Sequence, residues 1–536
     1  MQVSAVSEAS SGLIFHAVAC IFLFTASGHP AYQPSPGEAD VPIRLPPARR
    51  HSPGKVAMTN DTLYRESLRP QFHFTAKKHW INDPNGLVYY DGEYHLYFQH
   101  TPGSMVHGRT TWGHAVSTDL VHWRQLHTAA LDVDETGWMW SGSAAVDHHD
   151  TGGFRDGDAP PLIAFYTAGG ERMFPGKRCI QCIAFSNDRG RSWTKYTGNP
   201  VVGHIRAENR DPKVVWHAPT RQWIMTLFMD DNDYALFSSP NLRSWKHLQD
   251  LTLPGVSECP DFFELPVDGD PSNTRWVFWG ASGGYLLGRF DGNAYEPETE
   301  VLQAELGANG YAAQTWSDIP AEDGRCIQIS WMRNGRYPAM PFNQQMTFPV
   351  ELTLRTLPEG IRLCREPVGE IELLHEKTHI WPTGDLADKA AAQFHPRFES
   401  GAISSYAVTD LREAERRLVL ADGGDLFDVR MEIEVDEGKG FAIEVRGHDI
   451  EYDAAMQSLS CFGRSADLRS LSGRVKLQLL VDRTSLEIFG NHGELSMSSC
   501  FLPAAANHSL ALRADDGGVR IVALTVHELR SAWDVG

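Results

Sequence analysis

Long helical periodicity is missing from most of this 536-residue chain, and so is any run of basic residues. With 48 Lys and Arg against 68 Asp and Glu, the formal net charge is −20. A surface of that sign repels nucleic acid and anionic membranes, so neither is expected as a partner. Extended apolar runs are equally scarce. The one at Leu13–Ala26 is too short for a bilayer, and no membrane span is expected. It suits the apolar stretch of a signal peptide, with small residues at Ala26-Ser27-Gly28, although Glu8 precedes it where a Lys or Arg is usual. The expected location is secreted or periplasmic. The 8 Cys are scattered, which excludes a small disulfide scaffold. Cys179 and Cys182 form the one close pair. A zinc ribbon needs a second pair, and their apolar run Cys179–Phe185 reads instead as a strand with buried thiols. Since no His pair or carboxylate cage stands out, no metal and no cofactor are expected.

What is present is strand-forming sequence. A chain of this length needs at least two cores, and its 42% hydrophobic residues are enough to fill them. Residues 1–28 read as the signal peptide and 29–67 as an arm rich in Pro and Ser. From Gln71 onward, short apolar or alternating runs are broken by Gly, Asn, Asp and Pro, an all-β texture. Ser117-Thr118-Asp119-Leu120-Val121-His122-Trp123 recurs loosely at Ser186–Trp193 and at Ser238–Trp245, each copy a polar turn between two strands. In step with it, the apolar strands Leu96–Gln99, Leu162–Thr167, Trp223–Phe228, Trp276–Trp279 and Ile327–Trp331 recur at intervals of roughly 50 to 65 residues, a repeat-protein period. Five such units predict a five-bladed β-propeller over 68–365; a β-sandwich with coincidental spacing is the competing reading. Residues 366–392 read as a linker with a short helix at Asp385–Ala392, and about eight further strands over 393–536 predict a C-terminal β-sandwich.

Three acidic segments lie in different repeats: His79-Trp80-Ile81-Asn82-Asp83-Pro84-Asn85-Gly86, Asn209-Arg210-Asp211-Pro212-Lys213 and Glu258-Cys259-Pro260-Asp261. Equivalent strands of a propeller line one channel, so residues this far apart in sequence converge there. Glycoside hydrolysis needs two carboxyls in contrasting environments, one ionised and one protonated. Asn82 and Asn85 are expected to hold Asp83 ionised, Arg210 to do the same for Asp211, and the less polar setting of Glu258 to raise its pKa. Taken singly, each segment has a plainer reading: Asp83-Pro84-Asn85-Gly86 as a turn, Arg210–Asp211 as a surface pair and Glu258 as a solvated loop residue.

Together and in this order, the segments resemble glycoside hydrolase family 32, the invertases, inulinases and levanases. Trp80-Ile81-Asn82-Asp83-Pro84-Asn85-Gly86, Arg210-Asp211-Pro212 and Glu258-Cys259-Pro260-Asp261 match its three signatures. Trp112-Gly113-His114-Ala115-Val116-Ser117, Trp140-Ser141-Gly142-Ser143 and Leu479–Phe489 support the match, which covers roughly Leu68 to Trp533. The resemblance implies a propeller followed by a sandwich. It also implies Asp83 as nucleophile, Glu258 as acid/base and Asp211 as transition-state stabiliser. Asn82, Gln99, Trp140, Ser141 and Arg210 would complete a fructose subsite, with Trp80, Trp112 and Trp331 as apolar walls. The implied substrates are sucrose, levan and inulin, cleaved with retention, for which carboxyls about 5–5.5 Å apart are expected.

The chain departs from the family pattern at His79, where Gly is usual, at Asn309–Gln314, which lacks the usual preceding acid, and at Val350, where Arg is common. The loop Arg336–Phe342 looks more like bacterial levanases or inulinases, which implies exo-acting fructan hydrolysis. A fructosyltransferase would use the same residues, and a fructan-binding protein would keep the fold without the chemistry. Asn60-Asp61-Thr62 and Asn507-His508-Ser509 are glycosylation sequons.

Overall fold

The computed structural model describes residues 63–533, apart from 171–174, 382–383, 386–416, 436–437, 439, 505–506 and 515–518. The signal-peptide reading, Cys20, the sequon at Asn60, most of the arm and the helix expected at Asp385–Ala392 therefore lie outside the described residues, apart from Asp385.

Five antiparallel four-stranded units succeed one another. Their first strands are His79–Tyr90, Trp138–Val146, Arg210–His217, Asp261–Val267 and Gly310–Thr315. These strands neighbour one another in cyclic order, the fifth returning to the first. Each therefore lines a common axis, and the units are the blades of a five-bladed propeller. The apolar series expected from sequence forms the second strand of every blade: Glu93–Thr101, Leu162–Gly169, Gln222–Asp230, Asp270–Trp279 and Cys326–Met332. Such strands are covered on both faces by neighbouring blades, so they carry long apolar runs. The ring closes where Phe342–Asn343 pairs in parallel with His79 and Trp80 of blade one.

The recurring Ser…Trp segment joins the third and fourth strands of blades one to three. Asp119, Asp188 and Asn241 each accept backbone amides from the turn through the side chain. The next residue, Leu120, Arg189 or Leu242, takes φ of 63°, 61° or 64°. The Trp123 and Trp245 indoles donate to the Leu120 and Leu242 carbonyls at 3.0 Å. The Asx side chain thus replaces the hydrogen bonds that the tight turn withholds.

Along the axis, polar side chains tie the inner strands together. Buried Lys213 of blade three pairs with buried Asp261 of blade four at 2.9 Å and donates to Thr315 of blade five. Ser143 donates to the Pro212 carbonyl at 2.9 Å, and Gln314 to the Gly142 carbonyl at 3.1 Å. These bonds satisfy polar groups deep in the ring and fix the strands relative to one another.

Beyond the propeller stand two packed sheets. One contains Phe427–Val435, Arg474–Val481, Ser485–Gly490, Leu495–Cys500 and Val519–Leu529; the other contains Arg417–Asp422, Phe441–Val445, His448–Asp453 and Ser509–Ala514 among its strands. Alternating residues such as Val429, Met431, Ile433, Val475, Leu477 and Leu479 fill the space between them. Two stretches differ from expectation. His375–Trp381, read as linker, pairs with Val519–Leu529 as an edge strand of this sandwich. Residues 63–67 of the supposed arm are packed: Tyr64 stacks on Trp533 at 4.2 Å, and Glu66 pairs with buried Arg69 at 2.7 Å. Cys179 and Cys182 are buried free thiols flanking and inside the strand Ile180–Ser186.

Propeller and sandwich share a core in which Leu480, Phe489 and Leu529 pack with propeller residues such as Phe72, Phe348 and Leu363. At its centre His73 bonds Asp482 through Nδ1 and Glu487 through Nε2, both at 2.8 Å. Asp482 also receives the amides of Gln71, Phe72 and His73, and Glu487 that of Phe348. Burial alone drives an imidazole toward neutrality, but the two carboxylates carry His73 up to about 9, so it stays a cation.

Candidate active site

The three acidic segments meet at one end of the ring. Asp83, Ser141, Asp211 and Tyr311 sit near the starts of four inner strands, and Glu258 just before the fifth. A local trick aims them. In blades one, two, three and five the inner strand breaks register at its beginning, between Ile81 and Pro84, Met139 and Gly142, Arg210 and Lys213, and Tyr311 and Gln314. Such bulges leave residues unpaired and turn side chains that regular pleating would send into the neighbouring blade. Asp211 and Cys259 have φ of 63° and 52°, strained values for residues with a Cβ. The turn reading of Asp83-Pro84-Asn85-Gly86 is corrected here: the tetrapeptide runs within strand His79–Tyr90. Gly86, at φ 52°, lets the strand bend where a Cβ would press on Trp112 at 2.7 Å.

Asp83 accepts a 2.6 Å hydrogen bond from Ser141 Oγ and a 3.2 Å bond from Asn82 Nδ2, and Asn82 is held by the Trp80 indole at 3.0 Å. The amide of Asp211 donates to Thr167 Oγ1 at 3.0 Å, so blade two positions the acid of blade three. Cys259 Sγ stands between the two carboxylates, 3.6 Å from Asp83 Oδ2 and 3.4 Å from Asp211 Oδ2. Glu258 receives Tyr311 OH on Oε1 at 2.6 Å and Arg210 on Oε2 in a short ion pair. Arg210 Nε is 3.5 Å from Asp211, and its guanidinium stacks on Phe228 at 4.6 Å.

The electrostatics run opposite to the sequence expectation. Burial, then the charge of Glu258, raises Asp83 above the usual carboxylate range against the pull of Ser141 and Asn82. Burial carries Asp211 up to about 7, because Arg210 is outweighed once Glu258 and Asp83 add their charges. Burial pushes Glu258 up as well, but Arg210 and Tyr311 more than offset it and hold Glu258 low. The reason is geometric. Arg210 is the chain neighbour of Asp211 yet offers it only Nε at 3.5 Å, while Nη2 bonds Glu258, 48 residues on, and Nη1 the Glu208 carbonyl.

Trp80, Trp140 and Trp331 are partly exposed around these acids, with Trp80 and Trp331 edge to face at 6.0 Å. Trp112 is different: it is fully buried, donates to the Trp140 carbonyl at 2.9 Å and offers no surface to a sugar. The expected wall is a core residue packed among Tyr97, Leu131, Met139 and Tyr166. Gln99 is also buried and donates to the Met139 carbonyl at 3.0 Å. Sequence reasoning passed over Tyr311, Cys259, His107 and Arg333. Exposed His107 reaches Trp80 at 6.4 Å, near enough to Asp83 for each to feel the other's charge. Its loop is pinned by a bond from the Gly103 amide to His79 Nδ1 and by one from Asn343 to the Met105 carbonyl. His79, at φ 75°, thus has a function that Gly cannot serve. The place of Tyr311 within the segment Asn309–Gln314 was the available signal.

Residues 73–367 match the model of the glycosyl hydrolases family 32 N-terminal domain, and 407–528 that of the family 32 C-terminal domain. A levanase of Bacillus subtilis is 35% identical over 520 residues, covering 88% of this chain and 72% of the levanase. An extracellular exo-inulinase of Aspergillus niger is 28% identical, covering 88% and 96%. The crystal structure of an Aspergillus awamori exo-inulinase superposes with a TM-score of 0.72 at 26% identity, covering 88% of this chain and all of that one. The acid cluster at the mouth of a five-bladed ring, the sandwich behind it and these matches have one reading: the chain belongs to glycoside hydrolase family 32.

Proposed function

We propose that this hydrolase is a retaining β-fructofuranosidase that releases fructose by exo action from levan and inulin and also accepts sucrose. The observation that carries the reading is the meeting of Asp83, Asp211 and Glu258 at one end of the ring. The substrate class is supported by the levanase and exo-inulinase likeness. Asp83, oriented by Ser141 and Asn82, attacks the anomeric carbon. Asp211 and Arg210 hold fructose hydroxyls, with Trp80, Trp140 and Trp331 around the ring. As hydroxyls engage Arg210, its charge is drawn off Glu258, whose carboxyl rises, takes up a proton from solvent and delivers it to the departing oxygen. Glu258 then takes a proton from water, whose oxygen displaces the Asp83 carboxylate from the anomeric carbon and frees fructose with its configuration kept, a step suited to carboxyls about 5–5.5 Å apart. We assign 68–365 to the catalytic propeller and 393–536 to the sandwich, to which the edge strand His375–Trp381 also belongs. Secretion fits the extracellular relatives. Among the described residues no helix is long and apolar enough to cross a membrane.

Because Glu258 is held low and Asp83 high, the reverse assignment of nucleophile and acid is the reading to test. Asp83→Ala and Glu258→Ala are given an activated fructofuranoside and azide. Glu258→Ala yields fructosyl azide of retained configuration, and Asp83→Ala yields none or the inverted azide. Retained azide from Asp83→Ala overturns the assignment. Chromatography of wild-type products checks the activity: fructose alone from the polymers means exo-hydrolysis, and longer sugars from sucrose mean transfer.

A further inference from the structure

Past Glu258, away from Asp83, the site wall is built from a segment that the sandwich holds in place. Residues 305–309 lead into the inner strand of blade five, and they are laid along the sandwich strand Leu495–Cys500. The Leu306 amide donates to Ser496 O at 2.9 Å and the Asn309 amide to Ser498 O at 3.0 Å. The Cys500 amide returns to Asn309 Oδ1 at 2.8 Å. Glu305 is locked to the same strand, accepting the Ser498 amide at 2.8 Å and pairing with buried Arg365 at 2.6 Å. A Cβ at Gly307 would collide with the Ser498 backbone, so the two segments are in direct contact.

Asn309 then grips Arg333 from both sides. The Arg333 amide donates to Asn309 O at 2.8 Å, and Asn309 Nδ2 donates to Arg333 O at 2.6 Å. With its backbone fixed, the exposed Arg333 side chain lays its guanidinium over Tyr311 at 4.4 Å. No carboxylate among the described residues lies within ion-pair distance of it, yet it is near enough to Glu258 to feel its charge. Tyr311 bonds Glu258 on one side and supports Arg333 on the other. A guanidinium has five donors in a fixed fork, and a sugar offers hydroxyl acceptors at matching spacing.

We infer that Arg333 binds the hydroxyls of the leaving sugar, and that the sandwich sets this specificity through Asn309. The inference rests on Glu258 as proton donor, because that role places the departing oxygen, and hence the leaving sugar, on the Tyr311–Arg333 side. Arg333 is the specificity residue and Asn309 a positioning residue.

The test compares sucrose, whose leaving group carries hydroxyls, with methyl β-fructofuranoside, whose leaving group carries none. In Arg333→Ala the ratio of kcat/KM for sucrose to that for the methyl fructoside falls by about tenfold, as expected for loss of one hydrogen bond from a charged donor, and the loss resides in KM. Arg333→Lys restores part of the ratio. Asn309→Ala lowers it in the same direction with the fold intact by circular dichroism. A ratio unchanged in Arg333→Ala overturns the inference. So does an equal fall on both substrates with a displaced pH profile, since Arg333 would then act on Glu258 and not on the sugar. An unchanged ratio in Asn309→Ala removes the sandwich from it. The azide experiment with Glu258→Ala is independent, so failure of the mechanism and failure of this inference are told apart.

Discussion

At the scale of residues, one arginine serves two acids unequally, and a tyrosine helps decide the outcome. Tyr311 donates to the ionised form of Glu258 and so favours it. Tyr311→Phe removes that preference. The Glu258-controlled limb of the kcat/KM profile then moves to higher pH, and kcat falls by about tenfold, as one hydrogen bond to a charged group warrants. A profile superimposable on wild type would show that Tyr311 does not tune the acid. The meeting of the three acids was legible in the sequence because three short segments in fixed order are specific. Their charge states were not. Arg210 stands beside Asp211 in the chain, and adjacency suggested a pair that the fold shares with Glu258, which takes the closer contact. Trp112 misled for a similar reason: a large aromatic next to a signature residue reads as a sugar platform, and only its complete burial among Tyr97, Met139 and Tyr166 reveals a core residue.

At the scale of elements, the work is done by bulges at the starts of inner strands. Gly142 follows Ser141 in one of them, and a side chain there would run into the Phe165 carbonyl of the next strand. Gly142→Ala therefore pushes the strand away and takes Ser141 from Asp83. Overpacking of this kind destabilises by about 1–3 kcal/mol, and displacement of roughly 1 Å at the chemistry lowers kcat on the order of a hundredfold. A kcat within twofold of wild type would mean that the bulge does not position Asp83. Second strands were easy to find because burial on both faces writes them as apolar runs. First strands were hard: bulges break their alternation, and Asp83-Pro84-Asn85-Gly86 carries turn residues precisely because the backbone there leaves regular pleating. His375–Trp381 was taken for linker because, at a sheet edge, it alternates half-exposed and exposed residues with little apolar content.

At the scale of the whole molecule, propeller and sandwich are joined by a buried ionic clasp whose members lie some 410 residues apart, beyond any local pattern. Its imidazole is raised to about 9 from an ordinary 6.5. Its contribution is fully present below 6.5 and is lost as pH rises through 9. His73→Gln leaves two buried carboxylates without their cation, which costs about 3–5 kcal/mol near neutral pH. The melting temperature of the variant is lower at pH 6, and the gap to wild type narrows by pH 10. A gap that stays constant across this range would remove His73 from the joint. The ring itself closes on the bridge between Val88 and Ser317 and on a short pairing, Phe342 and Asn343 against His79 and Trp80. During synthesis those partners leave the ribosome roughly 260 residues apart, on the order of ten to fifty seconds at ordinary elongation rates. Through that interval blade one waits with an open inner edge, and the strand that anchors Asn309 emerges later still. Competence therefore arrives late and all at once: a nascent chain that already carries every acid of the site has no leaving-group wall until the sandwich strand Leu495–Cys500 has been made.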